Sequence, residues 1–292
     1  MQPRNASRSA PRRWVDADDL VKKLGRKRSE IIRPAIEHPK EFVLLSVRDM
    51  ARRLGTDPAT AVRIFQGLGF SSYREFQRYL HELSIAHATL LDTMQAKDAR
   101  ESSVSATVRT SLVQELKNIH ALQNTLDAER IATLVRRIYK ARQILLIGGD
   151  LAATLAQYLE YYLTVLGLPA ISATTPGRTV HLARSTTRKD LVIAMSFRRG
   201  LRQTVEGVER ARKNGAHCVG ITDTFVSPLI RFCDECLLAS VETPAFGQSY
   251  VAPIALMNAI LAACGNFKRA RTLALLREAD LEQRSGFRWY EA

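Results

Sequence analysis

The spacing of apolar positions changes once along the chain, at about Gln143. Before that point the spacing is helical. From Asp16 to about Ala86 apolar residues recur three and four apart, with breaks predicted at Pro34, His38-Pro39, Gly55 and Gly69. Residues 92–108 are polar and read as a connection leading into a helix. Helical spacing then resumes through Leu112, Leu116, Ile119, Leu122 and Leu126, and again over Ile131–Tyr139. Beyond Gln143 the apolar residues fall in short continuous runs at Ile144–Ile147, Ala170–Ser172, Leu191–Met195, Cys218–Ile221 and Leu237–Val241. Helical stretches separate several of these runs, at Leu151–Leu166 and Thr204–Asn214. Such alternation, with strands apolar throughout, predicts a parallel sheet covered by helices on both faces. Two helices, Ala252–Cys264 and Lys268–Arg284, close the pattern. No internal repeat is present.

Length and charge sharpen this division. The 292 residues fit two domains of ordinary size. The 46% hydrophobic and 25% charged content is that of a soluble globular chain. The net charge of +14 is unevenly placed: residues 1–90 hold +7, whereas residues 143–250 hold only +2. A basic N-terminal third points to a polyanionic partner, nucleic acid before an anionic membrane surface. The competing reading is a solvated excess of arginine. No apolar run reaches the roughly 18 residues of a membrane helix. The basic N-terminus has no apolar stretch, so no signal peptide is expected and a cytoplasmic location is. Four cysteines do not make a disulfide framework.

The segment Ser46–Gly69, SVRDMARRLGTDPATAVRIFQGLG, contains two helix signatures around a tight turn. Ser46 is an N-cap with Asp49 three residues on. Val47, Met50, Ala51 and Leu54 make one apolar face. Gly55 supplies the left-handed residue that ends the helix. Asp57 caps a second helix with Pro58 at its first position, and Ala61, Ile64, Phe65 and Leu68 form its inner face. Two short helices joined in this way predict a helix-turn-helix. A helical hairpin in an ordinary bundle is the alternative. On the first reading Thr60, Arg63 and Gln66 face bases in the major groove, where Arg pairs with guanine and Gln with adenine. Ser46, Arg52, Arg53, Ser71 and Tyr73 are candidate phosphate contacts.

These residues resemble the N-terminal domain of RpiR-type bacterial transcription regulators. Gly55, Pro58, Ala59, Thr60, Leu68-Gly69-Phe70, Tyr73 and Phe76 match that family's layout, with Asp57 where serine is usual. The second half, from DLVIAMSFRRG to DECLLASVE, resembles the family's sugar isomerase (SIS) domain. The likeness spans about residues 20–265. It implies an all-α helix-turn-helix N-terminal domain plus an α/β C-terminal SIS domain with a parallel sheet covered by helices on both faces. It also implies a homodimer or homotetramer that binds double-stranded operator DNA and senses a small metabolite, often a phosphosugar. The expected division is a disordered basic tail (1–15), a DNA-binding domain (16–91) and a linker with a connecting helix (92–125). A SIS domain for sensing and oligomerisation (126–265) and a C-terminal helix and tail (266–292) follow.

Ligands of an open parallel sheet sit beyond the carboxyl ends of its strands. Gly148, Gly149, Asp150, Ser196, Arg198, Arg199, Thr222 and Glu242 are therefore the candidate effector contacts. The family's phosphosugar pocket supplies a Gly-x-Gly-x-Ser turn and a Ser-x-Ser-Gly-x-Thr loop. Here the first reads Gly148-Gly149-Asp150-Leu151-Ala152, and the second Ser196-Phe197-Arg198-Arg199-Gly200-Leu201. Hydroxyls are lost, and a carboxylate faces the anion position. Three readings stay open. Arg198 and Arg199 hold an anion such as a phosphosugar, sugar acid or amino acid; or they pair with Asp150 and close the pocket; or Asp150 receives an amine or hydroxyl.

Other constellations add little. Cys233-x2-Cys236 has no second ligand pair for zinc and leads into a strand, unlike a redox motif. The six histidines show no metal spacing, and Ser196 lacks a nucleophile elbow. No metal and no cofactor is expected. Tyr158, Tyr161 and Tyr162 suit a core or a dimer interface. The rival function is a SIS sugar-phosphate isomerase, with Glu242 or His181 as base. A ligand-independent dimeric regulator is the third.

Overall fold

A computed structural model describes residues 24–86, 103–244 and 246–284, and for residues 85, 86 and 283 the backbone alone. The expected basic tail, the start of the linker and the C-terminal tail lie outside the described residues. The chain divides into two compact units after Ser84, and each is described by itself.

The N-terminal unit is helical: α1 (Arg26–Glu37), α2 (Pro39–Phe42), α3 (Val47–Arg53), α4 (Pro58–Gly67) and α5 (Tyr73–Ala86). Helix α1 runs through Pro34, contrary to the predicted break. Ile32, Ala35 and Ile36 on either side are buried, and the His38 amide donates to the Pro34 carbonyl at 2.9 Å. Packing on both flanks thus outweighs the one amide that proline removes. The break at His38-Pro39 is present. Aromatic rings of α4, α5 and the turn between them pack in the core, with Phe65 stacked on Phe76 at 4.4 Å and Phe70 edge-on to Phe76 at 5.3 Å.

The second unit begins, within the described residues, with α6 (Val104–Thr125) and α7 (Ala128–Lys140). The sheet elements alternate from there: β1 (Ile144–Gly148), α8 (Ala152–Val165), β2 (Ala170–Ala173), α9 (Pro176–Arg184), β3 (Leu191–Met195), α10 (Arg202–Lys213), β4 (His217–Thr222), a 3-10 turn (Pro228–Arg231) and β5 (Glu235–Leu238). Helices α11 (Val251–Phe267) and α12 (Arg269–Arg284) follow. The five strands are all parallel in the order β2-β1-β3-β4-β5. The order reverses direction between β1 and β3, which makes the carboxyl ends of those two strands the topological switch point.

Alternate residues of each strand serve the two faces. Ile144, Leu146, Leu191, Ile193, Met195, Val219 and Ile221 pack with α7, α8 and α11. Leu145, Ile147, Val192, Ala194 and Cys218 pack under α9 and α10. Two details differ from the sequence reading. Helix α9 shows too little apolar periodicity to be seen, since its buried residues are only Thr179 and Ala183. Strand β5 starts and ends earlier than Leu237–Val241. Its partner β4 ends at Thr222, which pairs with Leu238, so the ladder stops there although Ala239 and Val241 remain in the core.

Candidate functional site

In the N-terminal unit the two helix ends close alike. The Thr56 amide donates to Ala51 O at 2.9 Å and the Gly55 amide to Arg52 O at 3.1 Å, with Gly55 at φ +68°. The Phe70 amide donates to Phe65 O and the Gly69 amide to Gln66 O, with Gly69 at φ +95°. Each is a Schellman closure, which needs a residue free to turn left-handed. At the other ends, Ser46 accepts from the Asp49 amide and Asp57 accepts from the Thr60 amide. Hydrogen bonds from Thr60 hold the Asp57 carboxyl below its ordinary value.

Met50, Ala51, Ala61, Ile64 and Phe65 are buried between α3 and α4. Arg63 and Gln66 are exposed on the outer side of α4, with Thr60 half-buried. Arg63 reaches only its own helix, Ala59 O and Thr60 Oγ1, both at 3.4 Å.

The expected phosphate contacts divide. Arg52 is exposed beside Asp49 at 3.1 Å. Arg53 is engaged with Glu41 and lies over the Phe42 ring. Ser46 and Ser71 spend their hydroxyl protons on Asp49 and Glu75. The Tyr73 hydroxyl donates to Leu45 O at 2.6 Å, and burial pushes its phenol up to about 12. Tyr73 thus ties α5 to the loop before α3.

At the switch point a cavity of about 370 Å3 is lined by Gly149, Asp150, Leu151, Ala152, Ser196, Phe197, Leu201, Phe246, Gly247, Gln248 and Tyr250. The turn after β1 is tight. A Cβ on Gly148 would lie 2.5 Å from Ala152 O, and one on Gly149 would meet Gln203 and Leu201. Asp150 (φ +53°) and Arg198 (φ +59°) are the two non-glycine residues with left-handed backbone among the described residues, and both lie at this point. Backbone held in such a conformation concentrates at ligand sites. Ser196 is buried and its Oγ accepts from the Leu201 amide at 3.1 Å, which fixes the start of α10.

The structure brings Gly149, Asp150 and Ser196 together at the cavity and Gly148 just beneath it. The remaining candidates sit elsewhere. The Arg198 amide donates to Asp223 Oδ1 at 2.9 Å, and its guanidinium lies 4.0 Å from Asp223 Oδ2. Burial pushes the Asp223 carboxyl up against the opposing pull of Arg198. Arg199 is exposed, and neither arginine lines the cavity or pairs with Asp150. The pocket-closing ion pair is therefore corrected to Arg198–Asp223: the left-handed turn at Arg198 carries its side chain toward the end of β4. Thr222 is buried beside Asp223. Glu242 is exposed, and its backbone carbonyl accepts from Asn118 of α6 at 2.8 Å. The sequence reading missed the aromatic wall. Phe197 and Tyr250 lie 5.2 Å apart, and burial, helped by Asp150 and Asp223, pushes the Tyr250 phenol up to about 12. The Phe-Gly-Gln-x-Tyr run before α11, with Gly247 at φ +81°, was the available signal.

The Cys-x2-Cys thiols stay free. Among the described residues no group of three or more His, Cys, Asp and Glu is placed to hold a metal ion. No single described helix is long and apolar enough to cross a membrane.

Comparison with known proteins agrees with this architecture. The SIS domain family model matches residues 137–263. The HTH-type transcriptional regulator HexR of Pseudomonas aeruginosa is 26% identical over 220 residues, 75% of this chain and 74% of that protein. The sugar isomerase domain of an RpiR transcription factor from Sphaerobacter thermophilus is 29% identical, with a TM-score of 0.56, over 59% of this chain and 97% of that one. The Vibrio vulnificus NanR protein, solved in complex with ManNAc-6P, shares the fold over 92% of this chain and 99% of its own (20% identity, TM-score 0.59). Fold and comparisons together define the class: a helix-turn-helix transcriptional regulator with a C-terminal SIS domain. Within that class the chain resembles the RpiR-type regulators.

Proposed function

We propose that this chain reads an operator through Thr60, Arg63 and Gln66, with Arg52 on a phosphate, and that the cavity at the β1–β3 switch point binds the effector. The observation that supports the reading of DNA is the outer side of α4. Arg63 and Gln66 are exposed there on a helix capped at both ends, and Arg63 contacts only its own helix. Such a helix presents side chains to base edges. The protein acts on DNA in the cytoplasm, as a homo-oligomer on half-sites about 34 Å apart or a multiple of that. Arg63→Ala is expected to weaken operator binding by about 1–3 kcal/mol and to relax preference at one base step. Titration of operator and random duplexes tests this. Equal loss on both would assign Arg63 to the backbone.

For the effector, the cavity favours a sugar acid or amino acid over a phosphosugar. Asp150 is exposed where it would repel a phosphate and accept from an amine or hydroxyl. Ser196, Gln248 and Tyr250 add uncharged polar groups, and the start of α10 at Leu201 favours a single carboxylate. Thermal-shift screening of sugar phosphates, sugar acids and amino acids tests this. A shift from sugar phosphates alone would overturn it, as would a shift unaltered by Asp150→Ala.

The chain is proposed to act without turnover. Of the bases an isomerase would use, Glu242 is held against α6 and His181 is exposed on α9; neither lines the cavity. The oligomer is proposed to form on α6, where Val104, Val108, Leu112, Leu116 and Ile119 make an exposed apolar row. Tyr161 and Tyr162 on α8 are exposed as well, in keeping with an interface. Leu112→Glu with Leu116→Glu is expected to lower the mass seen by light scattering. An unchanged mass would place the interface elsewhere.

A further inference from the structure

The opposite end of the sheet carries a second cavity with inverse chemistry. It has a volume of about 290 Å3 and lies at the amino ends of β1, β3 and β4, lined by Arg137, Lys140, Ala141, Arg142, Arg188, Lys189, Asp190, Leu191 and His217. Five of these side chains are lysine or arginine, against a single aspartate.

These cations are set by different elements. Arg137 and Lys140 come from the last turn of α7, where a helix C-terminus favours positive charge. That effect does not reach Arg188 and Lys189, which lie in the loop before β3. Arg142 is anchored: it donates to Asp190 Oδ2 at 2.7 Å. Asp190 is buried on the cavity floor and also accepts from the Thr187 amide and hydroxyl at 2.7 and 2.9 Å. Its Oδ1 is buried with no hydrogen-bond partner among the described residues. His217 lies 3.4 Å from both Asp234 and Glu235, so its imidazole faces carboxylates. Among the described residues no carboxylate comes within ion-pair distance of Arg137, Lys140, Arg188 or Lys189. Four like charges around one opening repel one another and are relieved by a counter-charge.

We propose that this basic cavity is an anion site for a small multiply charged ligand of the pyrophosphate class, separate from the effector cavity. The guanidinium forks of Arg137 and Arg188 match phosphoryl oxygens, and the two lysines supply point charges. The volume suits one linked pair of phosphoryl groups and is small for a whole dinucleotide. Phosphates of a DNA backbone share this chemistry, and the experiment separates the two sources.

The test uses the full chain with inorganic pyrophosphate, measured by calorimetry at fixed ionic strength. Saturable one-site binding is expected, weakened at least tenfold in Arg188→Ala/Lys189→Ala and in Arg137→Ala/Lys140→Ala. These side chains are exposed, so both variants should keep the wild-type circular dichroism and melting midpoint. Arg202→Ala, which removes an exposed arginine outside this cavity, should bind pyrophosphate as the wild type does. The proposal is overturned if no saturable binding occurs, if sulfate at equal ionic strength gives the same signal, or if the two double variants bind unchanged. It is also overturned if random-sequence duplex loses affinity in those variants while pyrophosphate shows no isotherm, for the site would then serve DNA phosphates. The outcome does not depend on whether the cavity at the carboxyl end takes an effector.

Discussion

The two ends of one parallel sheet hold their buried aspartates differently. At the carboxyl end, Asp223 faces the Arg198 guanidinium at 4.0 Å, and burial drives its carboxyl up. At the amino end burial acts in the same direction on Asp190, but hydrogen bonds from Arg142 and Thr187 outweigh it and hold that carboxyl below its ordinary value. The backbones differ as well. Left-handed turns elsewhere fall on glycine, as at Gly55, Gly69 and Gly215, while the carboxyl end places them on Asp150 and Arg198. One end is strained and incompletely neutralised. The other has no non-glycine residue in left-handed backbone, and its surplus is cationic. A scaffold tolerates strain where a ligand offsets it.

The largest effect should come from the tight turn after β1. Gly148→Ala puts a Cβ 2.5 Å from a backbone oxygen that cannot move aside, and is expected to cost about 3 kcal/mol or more in denaturant unfolding. Loss of less than about 1 kcal/mol would show the turn to be less constrained than the distances imply.

Asp190→Asn comes next, at about 1.5–3 kcal/mol at neutral pH, because charge-assisted hydrogen bonds are lost from a buried group. The native pKa of Asp190 is lowered, so its stabilisation is full above the unfolded value of 3.8 and disappears as pH falls through the native one. The variant should therefore lose less stability than wild type between pH 7 and pH 3. Asp223→Asn should behave in the opposite sense. Its native pKa is raised, so protonation on acidification favours the folded state, and the variant forgoes that gain. At pH 7 its cost should be about 1 kcal/mol or less, and as pH falls through the raised native value toward 3.8 it should lose more stability than wild type. Parallel acid slopes for the two variants would erase the contrast between the ends. The smallest effect is expected for Arg188→Ala/Lys189→Ala, within about 0.5 kcal/mol, since both side chains are solvated.

The N-terminal motif was legible because its determinants are local. Ser46, Gly55, Asp57, Pro58 and Gly69 act on neighbours within five residues, and each does what its position predicts. The sheet was legible because its strands are apolar throughout. Helix α9 escaped because it buries little apolar surface, and the break assigned to Pro34 failed because burial on both sides holds the helix together. The site divided along the same line. Gly149, Asp150 and Ser196 follow their strands and were found. The direction of Arg198 depends on Asp223, 25 residues away, and the Phe246–Tyr250 wall comes from the segment between β5 and α11. Neither leaves a mark on the spacing near the loop it completes. The basic cavity was hidden in the same way, because its cations come from residues 137–142 and 188–189.

The twin glycine closures have a consequence for how such a protein changes its target. Helix α4 has 10 residues, about 15 Å of rod. It is capped by Asp57, sealed by Gly69 and held from within by Ala61, Ile64 and Phe65. The side chains of Arg63 and Gln66 share none of that work. On the proposed reading of operator contacts, the address can be rewritten at two or three outward positions while the melting behaviour of the unit stays constant. Recognition and foldability are separate inheritances on this helix, free to drift at different rates.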